Sequence, residues 1–84
     1  MLDETQLVEV KTENFSAVVP SFGSQSLEDL FDVIGTYMAE DVQSTFELCL
    51  AMFIDNLAPD KLDDFYSIDD QEIMLLITQW IGKK

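Results

Sequence analysis

The chain has 84 residues, 17 of them acidic and 4 basic, and carries a formal charge of -13 with a hydrophobic fraction of 48%; this describes one small, foldable domain, 1–84, too short for two cores. All four cations are lysines, Lys11, Lys61, Lys83 and Lys84, and arginine is absent, which argues against a phosphate-clamping nucleic-acid surface and against attraction to anionic membranes. Histidine is also absent and Cys49 is the single cysteine, so the usual metal ligands, the imidazole base of nucleophilic triads and an intrachain disulfide are all missing.

The first residues, Met-Leu-Asp-Glu-Thr, lack the basic and apolar regions of a secretory leader. Residues 1–25 read as a β-like segment: apolar residues alternate at Val8 and Val10 and again at Phe15, Ala17 and Val19, around a polar Thr12-Glu13-Asn14. Two short strands are expected, as a hairpin without the Asn-Gly or Asp-Gly of a tight turn and in need of a covering helix. Pro20 to Ser24 closes the segment with turn residues.

From Ser26 the period becomes helical. Ser26 and Asp29 approximate a capping box, and Leu27, Leu30, Phe31, Ile34 and Met38 form a stripe expected to face inward. Gly35 is a weak point that would let a neighbouring element come close, and Glu40-Asp41 marks a break. A second helix, from about Asp41 to Asn56, carries Phe46, Cys49, Leu50, Phe53 and Leu57 on one side. Leu48, Ala51, Met52 and Ile54 make its middle apolar nearly all round, the pattern of a helix central in a fold or buried in a partner. The run from Leu48 to Ile54 is the longest apolar stretch and falls well short of the roughly 20 residues that span a bilayer; a soluble, reducing, cytoplasmic setting is expected.

Pro59 stops that helix, and Asp60 to Tyr66 predicts a short helical turn with Leu62 and Phe65 inward. The last helix has Asp69 as N-cap, Glu72 at its third position and an inward stripe of Ile73, Leu76, Ile77 and Trp80. Gly82 would supply a left-handed C-terminal residue, and Lys83-Lys84 complement the helix dipole. The expected fold class is therefore mainly α: three to four helices over 26–84, preceded by the β element.

Catalysis and cofactors are not expected. The acidic cluster Asp60, Asp63, Asp64, Asp69, Asp70 and Glu72 lacks EF-hand spacing, since Leu62 and Phe65 fall where a ligand and a glycine belong. Nearly every other carboxylate falls on a polar helix face or a cap. Cys49 sits in an apolar run that hides a thiol. Gly23-Ser24-Gln25-Ser26-Leu27 resembles the attachment motif of acyl carrier proteins, but Gln25 stands where the aspartate belongs, and Ser26 as N-cap explains the same residues.

Leu27-Glu28-Asp29-Leu30, the acidic break at Glu40-Asp41, the apolar helix through Phe46 and Phe53, the stop at Leu57-Ala58-Pro59-Asp60 and the ending Gln79-Trp80-Ile81-Gly82 together resemble the small acidic tail-assembly chaperones of long-tailed bacteriophages. The resemblance implies a mostly helical, non-catalytic protein that coats a tape-measure protein and recruits tail-tube subunits. The alternative is an acidic DNA mimic that occupies the groove of a basic nucleic-acid-binding host protein. For a chaperone, the surplus apolar residues Leu48, Met52, Ile54, Met74, Leu75 and Ile81 are the expected protein-interaction patch. The same patch predicts self-association into a homo-oligomer.

Overall fold

A computed structural model describes residues 6–82. It is mainly helical, in the order β1 (Leu7–Lys11), β2 (Ser16–Pro20), a 3-10 turn (Phe22–Ser24), α1 (Leu27–Met38), α2 (Val42–Asp55), α3 (Pro59–Ser67) and α4 (Asp70–Gly82). The strands pair antiparallel with Val8 opposite Val19 and Val10 opposite Ala17. Because side chains alternate along a strand, this register sends Val10, Ala17 and Val19 into the core and leaves Leu7, Glu9 and Val18 outside.

The hairpin has no tight-turn dipeptide, and α4 supplies what the loop lacks. The Glu72 carboxylate accepts from the Thr12 hydroxyl (2.6 Å), the Asn14 backbone N–H (3.1 Å) and the Asn14 side-chain amide (2.7 Å). Two turns further on, the Gln79 amide accepts from the Lys11 N–H (3.0 Å) and donates to the Lys11 carbonyl (2.7 Å), acting as one more rung of the sheet. Trp80 donates its indole N–H to the Pro20 carbonyl (2.8 Å), which satisfies the polar end of a fully buried ring. A two-stranded hairpin is marginal alone; here it is fastened along the length of α4.

Asp69 caps α4 as the sequence predicts, accepting the Glu72 N–H at 2.9 Å. The side chain of Glu72 goes to the hairpin loop, so the reciprocal half of a capping box is replaced by a tertiary tie. The expected left-handed Gly82 is not found: no described glycine has positive φ, and Gly82 is the last residue of α4. Lys83 and Lys84 lie outside the described residues.

The core is aromatic. Phe53 of α2 contacts both Phe65 of α3 and Trp80 of α4 with ring centroids 5.4 Å apart, Phe15 meets Phe65 edge-on at 5.7 Å and Phe22 meets Trp80 at 5.2 Å. Such tilted and edge-to-face pairs stabilise beyond their buried area by about 0.5–1.5 kcal/mol each. Leu76, Ile77, Cys49, Leu57 and Met52 complete the core. The predicted inward residues of α2, α3 and α4 are therefore buried or half-buried against it.

The α1–α2 connection is three residues long and fixed at both ends. Glu40 takes the left-handed conformation (φ 61°). Its N–H donates to Tyr37 and that of Asp41 to Thr36, both at 3.0 Å, the bonding pattern of a Schellman cap. Asp41 then caps α2, accepting the Ser44 N–H at 3.1 Å. Within the helical hairpin the Thr45 hydroxyl donates to that of Thr36 (2.8 Å), which in turn donates to the Val33 carbonyl (2.9 Å).

Candidate protein-docking surface

The side of α1 that meets α2 carries the Thr36–Thr45 bond and, of the predicted stripe, Leu30 alone. On α1 the buried residue is Val33, with Leu30 and Thr36 half-buried beside it. Leu27, Phe31, Ile34 and Met38 are 70%, 65%, 53% and 75% exposed. At 3.6 residues per turn these four lie within about 60° of arc, centred about 130° from Val33. Spaced four, three and four residues apart, they form a seam of the kind that packs against another helix. Asp29 is about 40° from Val33, in the exposed first turn, whereas Glu28 and Asp32 lie on the outer arc beyond the seam. Gly35 borders the seam on that side and, against expectation, has nothing within 4 Å of where a Cβ would stand.

The seam adjoins a groove. Because α1 packs chiefly on α2, while α2 and the 3-10 turn meet α4, the helical hairpin and α4 diverge and leave an open cleft of about 900 Å³. One wall is Val33, Tyr37 and Met38 of α1, the turn residues Glu40 and Asp41, and Val42, Thr45, Phe46 and Cys49 of α2. The other is Ile77, Thr78 and Ile81 of α4, with Phe22 beside it. Tyr37 and Val42 are exposed, so the mouth is apolar as well as the floor. A domain of this size rarely leaves so large a contiguous apolar surface uncovered without using it.

Of the six residues expected to form the interaction patch, Ile81 lines this groove. Met74 and Leu75 are exposed on the same outer side of α4 but away from the groove lining. The other three are on α2, where Met52 is buried at 7% exposure and Leu48 and Ile54 are half-buried against the core. The physical reason is the position of α2, which is flanked by α1 and α4 and therefore buries most of its circumference. The residues missed are those of the α1 seam together with Tyr37, Val42 and Phe46. Their signal was present in the regular spacing from Leu27 to Met38, read as a core stripe.

Three chemical details bound what the surface can do. Burial pushes the Cys49 thiol up, so it stays protonated and unreactive at neutral pH. Hydrogen bonds from the side chain and backbone of Ser44 hold Asp41 below the ordinary aspartate range. Bonds from Thr12 and then Asn14 lower Glu72, outweighing the opposing desolvation. Both carboxylates are structural, one as a cap and one as a tie. Among the described residues no three acidic or cysteine side chains converge as metal ligands, and no helix is long and apolar enough to cross a membrane. No family model, curated protein or solved structure matches this chain.

Proposed function

We propose that the protein is a non-catalytic interaction module that holds a helix of a client protein on the apolar face formed by α1, α2 and α4. The observation that carries this reading is the open apolar groove of about 900 Å³ running into the exposed seam Leu27, Phe31, Ile34 and Met38. Helix-in-groove recognition uses such a surface: apolar anchors at helical spacing enter the groove, and burial of their side chains supplies affinity at roughly 25 cal/mol per Å² before ordering costs. The charge of -13 suits a holder of apolar clients, because like-charge repulsion keeps loaded complexes apart.

In its narrower form, drawn from the sequence resemblance, the clients are the tape-measure protein and tail-tube subunits of a long-tailed phage, and the host cytoplasm is the setting. Co-expression with those proteins from the genome that carries this chain tests that form. The wild type should keep the tape-measure protein soluble in a complex, and Phe31→Ser together with Met38→Ser should leave it aggregated while the module itself stays folded. A client equally insoluble with both, or a genome lacking such genes, removes the tape-measure assignment.

A further inference from the structure

We infer that the occupant of the groove is a cationic amphipathic helix from a different protein, one whose apolar stripe is flanked by Lys or Arg; this rests on the docking reading above and names its partner class. Charge placement carries it. Glu40 and Asp41 are exposed and stand in the groove lining at the α1–α2 turn, whereas Glu28 and Asp32 lie on the side of α1 turned away from it. The groove lining contains no cation. Among the described residues the lysines are Lys11 and Lys61, and both belong to the hairpin side of the molecule. Lys11 is in β1 with its backbone held by Gln79, and the Lys61 ammonium donates to the Ser16 carbonyl at 3.0 Å. A second copy of this chain would set carboxylates against carboxylates around an apolar centre, whereas a basic helix gains attraction on the same rim and is steered to it.

Two synthetic amphipathic helices with the same Leu and Phe stripe, one flanked by Lys and one by Glu, provide the test, titrated into the full chain by calorimetry alongside sedimentation velocity of the chain alone. The Lys-flanked helix should bind at least about tenfold more tightly than the Glu-flanked one, with affinity falling as salt is raised. Combining Glu40→Gln with Asp41→Asn, which keeps an N-cap, should weaken it about tenfold, while Glu28→Gln, Asp32→Asn and Asp63→Asn away from the groove leave it within about twofold. Circular dichroism of each variant checks that the fold is kept. Equal binding of the two helices, both lost with Phe31→Ser, overturns the cationic partner and leaves the docking reading standing. Equal weakening by the two sets of charge changes also overturns it, because the attraction would then come from net charge and not from the rim. A dimer that excludes both helices makes a second copy the occupant. Binding of neither helix by a monomer overturns the inference and the docking reading together.

Discussion

Glu72 shows how one side chain can hold two elements together. Its carboxylate is bonded by Thr12 and Asn14 and its pKa is thereby lowered. A carboxylate with a depressed folded-state pKa binds fewer protons in the native than in the unfolded state, so its contribution to stability is present above the ordinary glutamate range and is lost as the pH falls through the lowered value. Glu72→Gln should therefore lower the urea midpoint at neutral pH, and the gap from wild type should close on acidification; a gap independent of pH would contradict the tie. Glu40 gives the opposite sign. It holds a left-handed conformation that costs a non-glycine residue roughly 1 kcal/mol, so Glu40→Gly should raise stability by about that amount in urea melts. Two methionines separate core from surface: Met52→Lys places a charge in the buried side of α2 and should cost on the order of 3 kcal/mol, whereas Met74→Lys on the open side of α4 should stay within about 0.5 kcal/mol.

At the scale of elements, the strands, the N-caps of α1 and α4 and the stripe of α4 were legible in the sequence because each is a local signal: alternation, a capping side chain, a repeat of three and four. The rotation of α1 was not. Its sequence carries two apolar rows, Leu27-Phe31-Ile34-Met38 and Leu30-Val33-Tyr37, and local periodicity favours the longer. The short Schellman turn and the Thr36–Thr45 hydrogen bond turn the other row toward α2, a choice made by contacts across the hairpin. Enclosure of α2 between α1 and α4 leaves Met52 buried, while the rotation of α1 exposes the row that forms the candidate site. If α1 is exposed as described, Phe31→Ser should leave the urea midpoint within about 0.5 kcal/mol of wild type, whereas Phe53→Ala at the aromatic centre should cost about 3–5 kcal/mol. Gly35→Ala should add about 1 kcal/mol through helix propensity. A large loss from Phe31→Ser would restore the inward stripe.

The whole molecule is a slab with principal extents of 35 × 32 × 19 Å. The hairpin, α3 and the inner side of α4 enclose the aromatic core, while α1 and the open ends of α2 and α4 present apolar surface with Glu40 and Asp41 at the α1–α2 turn. A charge of -13 on so small a body makes self-repulsion a global term, so moderate salt should raise the thermal midpoint of the isolated protein while weakening its hold on a basic helix. These opposite responses separate the folding role of the charge from its recognition role. The most direct measurement of the central claim is an amide chemical-shift map by nuclear magnetic resonance, taken as the Lys-flanked amphipathic helix is added. The largest changes are expected along α1, the first half of α2 and the end of α4 through Ile81. Changes centred on the hairpin and α3, or none at saturating helix, would contradict it.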